Sequence, residues 1–306
     1  MKHYTVLKKE SIEALNIKSD GIYVDATLGY AGDASEILKR IKRGFLFAFD
    51  RDIDAIRYSE KVLSSISDRY KIVHSAFSSL SLKLQEEGIS KVDGILFDLG
   101  VSSPQLDENR GFSFMRDEVL DMRMNQDDKK TAQDVLNTYS FEELKTIFYS
   151  YGEEKKSSFI AKEIVLAREK KPITTTQELC SIILKAVGAK YFYKTHPERN
   201  IFQAIRIEVN NELKEIEKVL PEAISLLNPG GRLAVISFHS LEDRIVKRVF
   251  KKYSEVDRVV KGLPEIPEEY KPMVRLVNKK PIVPSKEELD ENSRSTSAKL
   301  RIVERL

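Results

Sequence analysis

The chain has 306 residues, a formal net charge of +3, 41% hydrophobic and 32% charged residues. That length suits one large domain or one domain carrying an insertion; no apolar run reaches membrane-spanning length, and the opening "MKHYTVLKKESIEALNI" lacks the apolar core of a signal peptide. A single cysteine, Cys180, excludes an internal disulfide and a cysteine-based zinc cluster, so a cytoplasmic protein is expected and no metal.

Along the first hundred residues, short apolar runs alternate with amphipathic stretches. "GIYVDATL" reads as a strand and "DASEILKRIK" as a helix, with Ala34, Ile37, Leu38 and Ile41 at spacings of three and four. "GFLFAFD" is a buried parallel strand, and "DIDAIRYSEKVLSSI" a helix capped by Asp52. "YKIVHS" is a third strand, "SLSLKLQEEG" a helix stopped by glycine, and "VDGILFDLG" a fourth strand. This rhythm predicts a doubly wound, Rossmann-like α/β sheet. From about 105 to 204 the pattern is helical only: "SFEELKTIFYSYG", "SFIAKEIVLAREKK" and "TTQELCSIILKAVG". The α/β rhythm then returns with one long helix, "IFQAIRIEVNNELKEIEKVLPEAISLLN", followed by a fifth strand in "PGGRLAVISF" and a helix in "SLEDRIVKRVFKKY". "MVRLVNKKPIV" and "SAKLRIVERL" alternate as antiparallel strands do, and a hairpin of the two would finish the sheet. The expected organisation is a sheet domain in two parts, 1–104 and 205–306, split by an all-helical domain over 105–204.

The loop "DATLGYAGDASEIL" joins the first strand to its helix, and the second strand ends in Asp50. A carboxylate there is placed to accept ribose hydroxyls. A pyrophosphate wants three glycines and bare N–H groups at the helix start. This loop offers Gly29 and Gly32, with Asp25 and Asp33 on either side. Those acids repel phosphate and attract a sulfonium or ammonium, so the charge favours S-adenosylmethionine over a dinucleotide. Asp33 can cap its helix and lie near the ammonium; for Asp25 a hydrogen bond to its own loop competes with ligand contact. Phe77, after the third strand, is placed to pack on adenine or to join the core.

The fourth strand ends at Asp98 and runs into "LGVSSPQLD". An exocyclic amine is a poor nucleophile because its lone pair is delocalised into the base. Asp98, with the turn at Ser102, Ser103 and Pro104, supplies acceptors that can hold its N–H groups and aim the lone pair. His239, in "SFHSLEDR" after the fifth strand, is either a proton acceptor or a helix cap, and Ser240 beside it can touch the substrate. "RGFSFMRDEVLDMRMN" interleaves Arg110, Arg116 and Arg123 with Phe112 and Phe114, a mixture suited to RNA stacking and phosphate contact or to a packed hinge. Lys155 and Lys156 head a basic helix, and Arg206 is a weaker candidate.

"DGILFDLGVSSPQLDENRGFSFMRDEVLDMRM", "FQAIRIEVNNEL" and "NPGGRLAVISFHSLEDRIVKR" resemble the signature segments of the MraW (RsmH) family, and the likeness runs from "HYTVLKKESIEAL" to "SRSTSAKLRIVER". The resemblance implies an S-adenosylmethionine-dependent methyltransferase acting on the N4 amine of a decoding-centre (P-site) cytidine in 16S rRNA. It also implies donor contacts at Ala31, Gly32, Asp33, Asp50, Phe77, Asp98 and Gln105, with Asp25 and Gly29 beside them in the same loop. The implied partner is the small ribosomal subunit, with no membrane; a homodimer stays open. The family loop usually reads Gly-Gly-His where this chain has Ala31-Gly32-Asp33, and a methyl group at Ala31 predicts a negative φ there. A ribosome-assembly RNA-binding protein with lost or incidental methyl transfer is the rival reading.

Overall fold

The computed structural model describes residues 5–100, 109–260 and 262–306. By its internal contacts the chain divides into two units, Met1–Gly100 with Leu213–Leu306, and Val101–Glu212.

The first unit is built on a seven-stranded sheet in the order β3-β2-β1-β4-β5-β7-β6. Strands β1 (Ile22–Asp25), β2 (Phe45–Asp50), β3 (Tyr70–His74), β4 (Val92–Asp98) and β5 (Leu227–Ser237) are mutually parallel. β7 (Lys299–Arg305) runs antiparallel to β5 and pairs with the short edge strand β6 (Val274–Leu276). The C-terminal hairpin expected from the alternating tail is therefore present, with β7 inside the sheet.

The continuous apolar runs follow from burial on both faces. Successive residues of a strand point to opposite sides. Val24, Phe47, Phe49, Ile95 and Phe97 face one core cluster with α4 (Leu80–Glu86), α11 (Glu212–Leu226) and α12 (Ser240–Ser254). Tyr23, Leu46, Ala48 and Leu96 face the other, with α1 (Lys8–Ala14), α2 (Gly32–Arg40) and α3 (Ile53–Ser64). Asp52 caps α3 by accepting the Asp54 N–H at 3.0 Å.

The second unit has its own core, centred on Leu136, Phe148, Ile164, Leu179 and Ile205. Its helices are α5 (Ala132–Thr138), α6 (Phe141–Ser150), α7 (Ser157–Arg168), α8 (Thr176–Val187), α9 (Ala189–Thr195) and α10 (Pro197–Asn210). Among the described residues it has no strand beyond the isolated bridge Val119–Thr175. Capping boxes at Thr131, Ser140 and Thr175 start three of the helices, each satisfying two otherwise orphaned N–H groups.

The single long helix expected over 201–228 is two helices. Asn211 sits in the left-handed region at φ 52° and ends α10, and α11 starts at Glu212. Asparagine tolerates that conformation because its short amide side chain can hydrogen-bond locally. α10 accordingly packs in the helical unit, and the unit's limits fall at 101 and 212 where the sequence suggested 105 and 204.

Asn210, the last residue of α10, holds that unit to its first described segment. Its Oδ1 accepts the Met124 N–H at 2.8 Å, and its Nδ2 donates to Met122 O at 2.8 Å and Arg206 O at 2.9 Å. Met122 itself has a strained φ of 58°. Asn210 is 4% exposed, so its loss strands buried backbone groups. Asn210→Ala is expected to destabilise the helical unit by about 2–4 kcal/mol, read from the urea midpoint. A shift below about 0.5 kcal/mol, the scale of an ordinary surface substitution, would show that the network carries no weight.

Candidate active site

Parallel strands present their carboxyl ends together, and here three end in acids: Asp25 on β1, Asp50 on β2 and Asp98 on β4. β1 lies between β2 and β4, so the three share one edge of the sheet.

The loop after β1 is tightly bound. Its Thr27 N–H goes to Asp25 Oδ1 at 3.1 Å, Leu28 N–H to Phe49 O at 2.8 Å, Gly29 N–H to Asp50 Oδ2 at 2.7 Å and Ala31 N–H to Leu28 O at 2.9 Å. Ser59 donates to Gly29 O at 2.8 Å. Thr27 Oγ1 accepts the Asp98 N–H at 2.6 Å, tying the loop to the end of β4. Four amides of the turn that leads into α2 are thus already used.

Two expectations for this loop are corrected. Ala31 has φ 62°, in the left-handed region, not a negative φ. That conformation costs an L residue about 1–2 kcal/mol, and it persists because the buried methyl and the surrounding hydrogen bonds fix the turn. Asp33 does not cap α2. The N-cap is Ala31, and Asp33 lies inside the first turn with its Oδ1 accepting from Ser11 Oγ of α1 at 3.1 Å. A carboxylate in a first turn still complements the helix dipole. Gly32 has no room for a side chain, since a Cβ would fall 1.9 Å from Thr5 Oγ1.

The acids are electrostatically frustrated. Asp25 is 1% exposed, and its Oδ2 has no hydrogen-bond partner among the described residues; burial, and then Asp33, push its pKa up to about 8. Asp98 also has a buried oxygen, Oδ1, without a partner there, and burial followed by Asp25 and Glu242 lifts it to about 8. Burial and Asp98 raise Asp33 as well, against the pull of Ser11 and Lys8. Asp50 is raised by burial, less the hydrogen bonds its oxygens accept from the Asp52 and Gly29 amides. Each Asp50 oxygen keeps a second lone pair for a ligand hydroxyl. Buried carboxylates with unused oxygens fit a cationic ligand and disfavour an anionic one.

Phe77 meets Phe97 edge-on, with centroids 5.6 Å apart, and Arg51 lies over its ring at 5.5 Å. It is part-buried against the core, the second of the two roles read from the sequence. His239 caps α12. Its side chain accepts from Glu242 N–H, while Glu242 Oε2 accepts the Phe238 and His239 amides at 2.7 and 3.2 Å. Glu242 Oε1 lies 3.1 Å from His239 Nε2, so both ring nitrogens face one residue. The geometry is that of the cap, with Ser240 opening the helix at an exposed position. Ser102, Ser103, Pro104 and Gln105 lie outside the described residues.

The helical-unit candidates divide. Phe112 is 8% exposed and belongs to the core. Arg110 donates to Arg123 O at 3.2 Å. Arg123 pairs with both Asp121 oxygens at 2.7 Å and donates to Gln126 O and Asp128 O. Arg206 forms a two-point pair with Glu212 at 2.8 and 2.9 Å, and Phe114 packs edge-on against Phe202. These side chains pack and pair within the helical unit. Arg116, paired with Glu118 at 3.1 Å, stays half-exposed, and Lys155 and Lys156 lie at the surface end of α7. Sequence reasoning missed Ser11 and Thr27, for which local periodicity carries no signal, because each acts through a partner distant along the chain.

The family model described as the MraW methylase family matches residues 1–306. Solved structures with a related fold include an rRNA methylase from Streptococcus thermophilus, 12% identical over 98% of this chain and 93% of that one, with a TM-score of 0.42. Others are a putative rRNA methylase from Clostridium thermocellum, 13% identical over 100% of both chains, TM-score 0.44, and a putative methyltransferase from Streptococcus mutans in complex with SAH, 12% identical over 99% of both, TM-score 0.46.

Proposed function

Because the chain belongs to the MraW methylase family, we propose that it methylates the exocyclic N4 amine of a decoding-centre (P-site) cytidine in 16S rRNA, using S-adenosylmethionine, in the cytoplasm. The observation that carries the donor assignment is the pair of buried carboxylate oxygens without partners, Asp25 Oδ2 and Asp98 Oδ1, at a loop whose amides are already used. When bound, S-adenosylmethionine supplies an electrophilic methyl group on a sulfonium. Asp25 and Asp33 supply the negative charge that holds its cationic centres. Asp50 offers acceptors to its ribose hydroxyls, and Phe77 a flat apolar face to its adenine.

Asp98 accepts an N–H of the target amine and so localises the nitrogen lone pair toward the methyl group. Transfer would form the N–C bond as the C–S bond breaks, leaving the donor as a neutral thioether, and the surplus amine proton would pass to solvent. A cytidine in folded RNA must be turned out of its stack before this geometry is reached, so the helical unit is assigned the grip on the surrounding RNA.

Small subunits from cells lacking this protein, incubated with it and S-adenosylmethionine, are expected to gain a methyl group that mass spectrometry maps to the exocyclic amine of a cytidine. A methyl group on a uridine or on a ring carbon would refute the assignment. Calorimetry that detects no donor binding at millimolar concentration would instead support the rival assembly-factor reading.

A further inference from the structure

Outside the carboxylate site, two neighbouring helices of the helical unit, α7 and α9, carry exposed rings beside cations. Phe159 on α7 is 58% exposed and Tyr193 on α9 is 67% exposed. The Lys156 ammonium lies 4.7 Å from the Phe159 ring centroid and 5.9 Å from that of Tyr191 on α9, so the two helices meet around it. The exposed arc of α9 carries Lys190, Tyr193 and Lys194, at spacings of three and four, with Lys155 just before α7.

This face is anchored from beneath. Glu154 is 2% exposed; it accepts the Tyr191 hydroxyl at 2.7 Å, the Lys156 N–H at 2.8 Å and the Asn200 amide at 3.1 Å. One buried carboxylate thereby fixes the start of α7 against α9 and α10. Elsewhere in the unit four lysines are matched to acids, Lys130 to Glu208, Lys145 to Glu142, Lys171 to Glu178 and Lys185 to Glu163, while Lys129, Lys162 and Lys170 stand apart from one another without an ion pair to a described residue. Lys155, Lys156, Lys190 and Lys194 form no ion pair with a described residue. Most exposed lysines are merely solvated, and most exposed rings are solitary. The combination of four unmatched cations with two protruding rings on a braced pair of helices is the arrangement that recognises a polyanion with accessible bases.

We propose that this face docks an unpaired stretch of RNA, with Phe159 and Tyr193 stacking on bases and Lys155, Lys156, Lys190 and Lys194 contacting the phosphates beside them. It rests on the reading of the substrate as RNA and assigns where the strand outside the active site is held. A protein partner with an acidic surface would use the lysines but would have no need of a stacking ring, and that difference makes the choice testable.

Fluorescence anisotropy of the full chain with a labelled single-stranded RNA oligomer, and with the same strand annealed to its complement, tests this. Replacing the four lysines by Gln is expected to lower the slope of log affinity against log salt by about 2–3, since each phosphate contact on a single strand contributes about 0.7. Phe159→Ala is expected to weaken single-strand binding roughly tenfold, with the slope unchanged and duplex binding little affected. Lys155, Phe159, Lys190 and Lys194 are exposed and Lys156 is partly so, and an unchanged melting temperature confirms folding in both variants. A parental salt slope in the lysine variant overturns the proposal, as does equal weakening of single strand and duplex by Phe159→Ala. Calorimetry with S-adenosylmethionine on the same proteins separates the two ideas. Intact donor binding with RNA binding indifferent to these residues sinks the docking face alone. Absent donor binding with RNA binding that depends on them sinks the methyltransferase reading alone.

Discussion

Replacing Asp98 by Ala is expected to lower methyl transfer by roughly 100- to 10,000-fold, the range typical of a lost acid-base or lone-pair-orienting group. The same substitution should not weaken the fold. Asp98 Oδ1 has no partner among the described residues, and its backbone N–H, which does hold the loop through Thr27, survives the change. Removing a buried acid whose Oδ1 has no partner among the described residues should raise the stability of the ligand-free protein, by about 1 kcal/mol. Single-turnover transfer and a thermal melt measure the two effects. Loss of activity together with a lowered melting temperature would make Asp98 a structural residue, and full activity would remove it from the reaction.

Donor binding is expected to expel protons. Burial pushes the pKa values of Asp25 and Asp98 up to about 8 in the ligand-free protein, with Asp33 and Asp50 adding negative charge beside the first and Asp25 and Glu242 beside the second. Near neutral pH they hold protons, and a bound cation pulls their pKa values down. Affinity should therefore rise with pH, by up to about tenfold per pH unit for each proton released, and level off above about 8. Isothermal titration in buffers of different ionisation heat counts the protons directly. Asp25→Asn should remove one of them and flatten the rise. Affinity independent of pH between 6 and 8 would mean that these carboxylates do not meet the cation. Without ligand the dependence runs the other way. Folded-state pKa values above the unfolded ones stabilise most below the unfolded pKa, and that stability is lost as pH climbs through about 8, so the ligand-free protein should melt at a lower temperature at pH 9 than at pH 6.

The centre of the sheet was legible because β1, β2 and β4 are buried on both faces and read as apolar runs, each punctuated by an acid at the same end. That punctuation also exposed Asp25, Asp50 and Asp98. The break at Asn211 was not legible, since the apolar spacing continues across it and only the local backbone reports the turn. Ala31 was misread for a related reason: steric preference argues against a positive φ, but the hydrogen bonds of the whole loop outweigh one methyl group. Arg110, Phe112 and Arg123 show the limit of composition. Aromatic and guanidinium groups serve an RNA surface and a packed junction equally well, and Asp121, which occupies Arg123, stands in the same segment without marking which use prevails.

Asp50 has a consequence beyond its own contacts. By occupying the Gly29 N–H it withholds one backbone donor of the turn from a ligand phosphate, and it puts a carboxylate in the same place. Selectivity between two adenosine-bearing ligands is then subtractive: the loop discriminates by the hydrogen bonds it withholds. A ligand phosphate brought to that point of the turn would meet a carboxylate instead of a free amide.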